Sequence, residues 1–261
     1  MDLRYGNGDM NETTVLLLWL GGALGFVGLC GLLCRLPLAV HLVAGFGLVV
    51  GTLYLACFKA PAEEVKLGNS YLIFYFHFPS AISCLTIFLM AGVISVLQLK
   101  SGSLKDDRRA VAAVEVGLLA CTITLATGMI WADAAWGQPW VWHDPRLMTV
   151  AIMWFTYVAY LMFRTAMDNP VQRARFSSVL GVIFSLNVPV VWFAIRLFGK
   201  VSHPMEIEFA EDYYAIMKTT QWFGAASFFV LYLGLWRLRY LAQTLLGELD
   251  RLNEAFAARK I

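Results

Sequence analysis

The sequence predicts an all-α fold: a polytopic integral membrane protein, a helical bundle of about seven transmembrane helices. Three observations carry that prediction. Of the 261 residues, 59% are hydrophobic and 15% charged, where a soluble domain carries about 25% charged residues. The mean hydropathy is +0.66. The apolar residues fall into separate runs close to the roughly 20 residues that cross a bilayer core.

In chain order the runs lie near 14–34, 38–58, 72–98, 110–131, 147–164, 176–198 and 216–236. The first follows a tail with Asp2, Asp9 and Glu12 against a lone Arg4. It is too long for a signal-peptide core and no A-x-A site follows it, so a retained anchor is expected. Only Arg35, Leu36 and Pro37 separate it from the second run, which allows a tight hairpin or one long kinked element. Gly22, Gly25, Gly28 and Gly31, and then Gly47 with Gly51, offer smooth ridges for close helix packing or for a partner subunit. The third run starts after Asn69 and Ser70 and contains Pro79. The fourth contains Glu115 and the sixth Arg196, both functional candidates as intramembrane charges; Glu115 also lies near enough to the basic cluster to be paired. After the seventh, Leu241, Leu245, Leu249, Leu252 and Phe256 recur at steps of three and four, one apolar stripe on an amphipathic tail helix over 241–261. The chain thus divides into an anchor at 1–37, a membrane domain at 38–240 and the tail.

Orientation follows from lysine and arginine. Arg35, Lys100, Lys105, Arg108, Arg109, Arg164, Arg173, Arg175, Arg237, Arg239, Arg251, Arg259 and Lys260 share one set of connections and the tail. The opposite set holds Arg4, Lys59, Lys66, Arg146, Arg196, Lys200 and Lys218. Thirteen against seven places the first set in the cytoplasm. The N-terminus, 59–71, 132–146 and 199–215 then lie outside. All five cysteines sit in apolar runs without a C-x-x-C-H, so covalent haem attachment to this chain is not expected and packing roles are.

The chemistry concentrates on the outer face. "WADAAWGQPWVWHDPRL", 131–147, holds Trp131, Trp136, Trp140 and Trp142 with His143, Asp144 and Arg146. His77, in the outer third of its span and two residues before Pro79, is a costly polar group at that depth, and a ligand role is the better reading. His203 follows the sixth span on the same face; His41, near the cytoplasmic start of the second, reads as an interface anchor. Two neutral imidazoles from separate helices can ligate one haem iron, tryptophan faces can cover a porphyrin, and a cation such as Arg146 can meet a propionate. An interfacial aromatic belt is the competing account of the tryptophans.

"WGQPWVWHDPRL" resembles the tryptophan-rich WWD signature of proteins that handle haem in cytochrome c maturation, and the chain is most similar to the CcmC type within the CcmC, CcmF and CcsA superfamily. "APAEEVKLGNSYLIFYFHFPSA" at 60–81, Thr127 and Gly128 before Trp131, and "NVPVVWFAIRLFGKVSH" at 187–203 resemble the family's flanking segments in the family's order. The resemblance implies non-covalent haem b bound at the outer face by His77 and His203 as axial ligands. The platform it implies comprises Trp131, Trp136, Gly137, Trp140, Trp142, His143, Asp144 and Arg146. It also implies a haem exporter in the bacterial inner membrane that delivers haem to a CcmE-like periplasmic chaperone. The expected partners are CcmA/CcmB-like transporter subunits and a small CcmD-like subunit. The step is ligand exchange, so no catalytic residue is expected and the chain is read as a transfer protein rather than an enzyme.

Two departures stand out. His143 intervenes before Asp144, where the family places the aspartate directly after the last tryptophan; either the loop has bulged or His143 has a role at the haem edge. Segment 1–37 adds a span to the family's six, either replacing the CcmD-like subunit or serving as a lineage-specific anchor. A CcsA-like synthase subunit is the nearest alternative, although it usually carries two further histidines. A b-haem redox protein would need facing histidine pairs, and a secondary transporter would need internal repeats that the chain lacks.

Overall fold

A computed structural model describes residues 31–60, 69–199, 201–202 and 214–258. The first expected span therefore lies outside the described residues except at its end, where 31–33 are helical. Seven α-helices follow: α1 Leu38–Phe58, α2 Phe74–Ser101, α3 Leu104–Trp136, α4 Pro145–Thr165, α5 Pro170–Ser185, α6 Asn187–Phe198 and α7 Tyr214–Ala258. A 3-10 turn, Asn69–Ile73, leads straight into α2. Among the described residues, five stretches are long and apolar enough to cross a membrane, with α5 and α6 together forming one of them. The chain is a multi-pass helical membrane protein.

Local chemistry sets the helix ends. Gly102 and Gly137 stop α2 and α3 at positive φ, 65° and 70°, which a residue with a Cβ adopts only at a cost. Ser103 accepts from the Lys105 amide to open α3. Asn169 opens α5, and Asp144 opens α4, each followed by a proline at the first helical position, where the missing N–H costs nothing.

Three elements differ from expectation. α3 was expected to end near residue 131 but runs to Trp136, because Ala132, Asp133, Ala134 and Ala135 contain no breaker before Gly137. The span expected at 176–198 is two helices meeting at Leu186, with α5 beginning at Pro170. The run expected as the seventh span, 216–236, and the tail are one helix of 45 residues, about 68 Å long at 1.5 Å per residue. Its apolar half, broken by Lys218, Thr219, Thr220 and Gln221, is not among the five stretches apolar enough to qualify. In its first half Thr220, Gln221 and Ser227 are buried, so its polar side faces the bundle and not lipid.

The helices pack through small residues, as expected where lipid supplies no hydrophobic drive between them. Ser95 of α2 lies over Gly181 of α5 and Ser185 of α5 over Gly92 of α2, a reciprocal fit with no room for a Cβ on either glycine. Gly45, not the expected Gly47, brings α1 against α7: a Cβ there would sit 2.9 Å from the Leu231 Cα. In the core the Phe88 ring stacks on Tyr157 at 3.8 Å and 2°.

One end of the bundle, rich in Lys and Arg, is tied by polar contacts. Arg164 grips Asp107 at 2.6 and 2.9 Å, and Arg239 grips Glu115 at 2.6 and 2.8 Å with Gln243 alongside. Glu115 is thus a paired group joining α3 to α7. His41 is no interface anchor. It is fully buried, donates from Nε2 to the Val230 carbonyl at 3.0 Å, and accepts at Nδ1 from Arg237 at 2.9 Å. Arg237 also donates to the carbonyls of Leu33 and Leu36. The Leu33 carbonyl also accepts the Leu36 amide at 3.2 Å, and Arg237, held by His41, fastens the turn before α1 to α7.

Candidate functional site

At the opposite end, where the tryptophans lie, a cavity of about 580 Å³ opens among α2, α3, α4, α6 and α7. That is within the roughly 300–1,000 Å³ of sites that enclose a whole organic ligand. Its floor is apolar, with Cys84, Leu85, Leu125, Val150 and Val191. Its walls are aromatic, with Phe74, Phe78, Trp131, Trp136, Trp140, Trp192 and Trp222. Arg146, Arg196 and Lys218 also line it, with no aspartate or glutamate among the described lining residues. Arg146 lies close enough to Arg196 for the two charges to repel, with Asp144 as the nearby offsetting carboxylate.

His77 is the one histidine in the lining among the described residues, and its setting determines its tautomer. Nδ1 lies 3.0 Å from the Thr124 carbonyl oxygen, which can only accept, so Nδ1 carries the proton. The lone pair of the neutral ring is then on Nε2, the nitrogen left for a metal or a donor. The ring lies nearly parallel to Trp131, at 13° with centroids 6.5 Å apart, and Trp136 meets Trp131 edge-on at 5.2 Å. Thr124, Gly128 and Trp131 occupy one face of α3 at helical spacing and form the shelf against which His77 rests.

Trp140 contributes a wall and a donor. Its Nε1 is buried and has no hydrogen-bond partner among the described residues. A buried donor left in this way costs free energy unless a ligand accepts from it. The cavity therefore combines a fixed imidazole, flat aromatic walls, an apolar floor, three cations and an available donor. Those features suit a flat, largely apolar, dianionic metal complex, and haem is such a molecule.

Other expected site residues sit differently. Trp142 is 76% exposed, does not line the cavity, and packs edge-on against Trp140 at 6.0 Å. His143 is exposed beside it. Gly137 is an exposed helix cap. Asp144 is fully buried: one carboxylate oxygen accepts from the amides of Arg146 and Leu147 at 3.0 and 3.2 Å, the other from the Ser202 amide at 3.0 Å. That last bond ties the tryptophan loop to the residue immediately before His203. His203 itself lies outside the described residues.

Lys218, Trp192 and Trp222 were not singled out from the sequence. Lys218 carries a signal, being a charge two residues inside one end of an apolar run as Arg196 is in its own, but at a span end such a charge reads first as a topology determinant. Trp192 and Trp222 carried none, because half-exposed tryptophans near span ends are indistinguishable from belt residues until the helices are assembled.

The family described as CcmC, Heme exporter protein C, matches residues 21–248. Heme exporter protein C of Paracoccus denitrificans is 29% identical over 180 residues, covering 68% of this chain and 74% of that protein. The Escherichia coli K12 protein of the same name is 33% identical over 138 residues, covering 52% and 55%. The Haemophilus influenzae one is 29% identical over 169 residues, covering 64% and 66%. The chain therefore spans about half to three quarters of these relatives, and with the family matched over most of its length it belongs to the CcmC, haem exporter protein C, family.

Proposed function

We propose that this chain transports haem for cytochrome c maturation: it holds haem b at the outer face of the bacterial inner membrane and passes it to a CcmE-like periplasmic chaperone. The observation that carries the reading is the His77 imidazole, its Nδ1 proton committed to the Thr124 carbonyl, in a cavity with aromatic walls and cationic side chains. Nε2 of His77 is one axial ligand and His203 the other. Arg146, Arg196 and Lys218 receive the propionates, with the Trp140 N–H as a further donor. Trp131, Trp136 and Trp140 cover the macrocycle, and the apolar floor takes its vinyl-bearing edge.

Asp144 and Gly137 act on the loop, not on haem: the first docks it to the segment leading to His203, the second turns the chain out of α3. Trp142 and His143, exposed next to the cavity, form the face met by the chaperone. Release then needs only exchange of axial histidines for a ligand on the acceptor, with no covalent bond made in this chain, so the protein is a carrier and not an enzyme. The N-terminus is periplasmic and the C-terminus cytoplasmic. CcmA/CcmB-like subunits, and a CcmD-like subunit unless residues 1–37 replace it, complete the exporter.

The test is the absorption spectrum of the purified protein with and without reductant. A low-spin b-type spectrum that is lost or turned high-spin in both His77→Ala and His203→Ala is expected. Unchanged spectra in both variants would remove the ligand assignment.

A further inference from the structure

We infer that Thr127 and Gly128 are positioning residues for His77, fixing where its ring stands and how strongly it donates to iron; the inference rests on His77 being a haem ligand. Neither touches haem in this account. Both act through the imidazole.

The geometry is specific. The Thr127 hydroxyl donates to the Ile123 carbonyl at 2.7 Å, which uses its only proton. Its oxygen lies 3.3 Å from His77 Nδ1, on which the proton already resides, so it is a second acceptor beside the Thr124 carbonyl at 3.0 Å. A ring N–H shared between two acceptors makes the opposite nitrogen a stronger donor, the effect by which outer-shell partners tune histidine–metal bonds. Gly128 supplies the space. A Cβ built on it would stand 2.8 Å from His77 Cε1 and 3.2 Å from Nδ1, closer than side chains tolerate. Any other residue pushes the ring off α3, away from both acceptors and out of its alignment with Trp131. The Thr127 and Gly128 pair thus does two jobs on one ring, polarising it and letting it lie down.

The experiment uses the full-length protein in detergent, loaded with hemin and titrated potentiometrically. Thr127→Val keeps the shape of the side chain and removes the acceptor; Thr127→Ser keeps the acceptor. Thr127→Val should bind hemin about tenfold more weakly, the lower end of what losing an outer-shell partner costs. It should also raise the reduction potential, because a less basic imidazole stabilises ferric iron less. Thr127→Ser should restore both. Gly128→Ala should convert the spectrum to high-spin, with added imidazole returning it to low-spin. If Gly128→Ala fails to fold, the Thr127 pair decides. Potentials and affinities equal to wild type in Thr127→Val, with His77→Ala still losing the low-spin spectrum, would overturn the positioning role and leave the ligand assignment standing. A low-spin spectrum and potential unaltered in His77→Ala would bring down both.

Discussion

Asp144 offers the sharpest test of how the tryptophan loop is built, because its two oxygens serve different structures. One oxygen caps α4 through the amides of Arg146 and Leu147; the other takes the Ser202 amide from the segment after α6. Removing an aspartate cap costs about 1 kcal/mol. Losing a buried hydrogen bond to a charged acceptor costs about 2 kcal/mol. Asp144→Ala forfeits both, about 3 kcal/mol together, or roughly a hundredfold in the docked population at about 1.4 kcal/mol per decade. Asparagine has one acceptor oxygen. In Asp144→Asn it is expected to stay with the cap, where two amides converge, and to present an N–H₂ to Ser202 instead. The loss is then about 2 kcal/mol, near thirtyfold, confined to one bond. Amide-resolved hydrogen exchange in detergent separates the cases. Asp144→Asn should speed exchange at Ser202 by about thirtyfold and leave Arg146 and Leu147 protected, whereas Asp144→Ala should release all three. Protection at Ser202 unchanged in both variants would refute the claim that Asp144 docks the loop to the segment leading to His203.

Arg164→Leu should destabilise the bundle by about 3–5 kcal/mol, because it strands the buried carboxylate of Asp107, whereas the double replacement Arg164→Leu with Asp107→Leu should recover most of that loss; equal unfolding temperatures for wild type and single variant would contradict it. Replacing Arg146, Arg196 and Lys218 together by glutamine should weaken binding of hemin far more than binding of its dimethyl ester, and equal losses for both would show that the cations do not meet the propionates. Trp136, Trp140 and Trp142 all changed to leucine should leave membrane insertion intact and abolish chaperone loading, and normal loading would favour a lipid belt. His143→Ala should keep an essentially unchanged Soret band and transfer haem less efficiently; loss of the low-spin spectrum in that variant, with His203→Ala silent, would mean that His143 is the ligand.

The spans were legible because a bilayer imposes one length scale, and 38–58 coincides with α1 to the residue. Their breaks were less so. The one at Leu186 is signalled only by Pro189, which has no N–H for the Ser185 carbonyl, and α3 outruns its apolar stretch because the alanine-rich sequence continues the helix to Trp136. Of the cavity lining, His77, Trp131, Trp136, Trp140 and Arg146 were readable, each as a costly group at an unusual depth or as part of a spaced motif. The structure adds what spacing cannot supply: that His77 rests on Thr124 and Gly128, some fifty residues away, and that α6 and α7 bring Arg196 and Lys218 to the same cavity. Asp144 shows what a motif leaves unsaid: the resemblance makes it part of the platform, and the structure shows its oxygens accepting from the backbone amides of Arg146, Leu147 and Ser202. His41 misled in the same way, since proximity to a span end says nothing about which face of the helix it occupies.

The placement of polar interactions along the bundle bears on how it can work. At the basic end, Asp107 with Arg164, Glu115 with Arg239 and Gln243, and His41 with Arg237 clamp α1, α3, α4 and α7 to one another. These contacts are charged and half-buried or buried, so opening that end would break several of them at once. At the tryptophan end the helices meet instead around a cavity, where the described contacts include Asp144 to Ser202 across the loop and His77 to Thr124 and Thr127 of α3. A carrier that exchanges axial ligands with an acceptor needs freedom of an ångström or two at one face and rigidity elsewhere, because the energy available from swapping one imidazole for another ligand is small. The charged clamps hold the end of the bundle that lies away from the residues that would hold haem. On this argument, loosening the clamped end through Arg164 should lower stability without changing the haem spectrum of the folded fraction, while loosening the tryptophan end through Asp144 should change the spectrum at little cost to the rest of the fold.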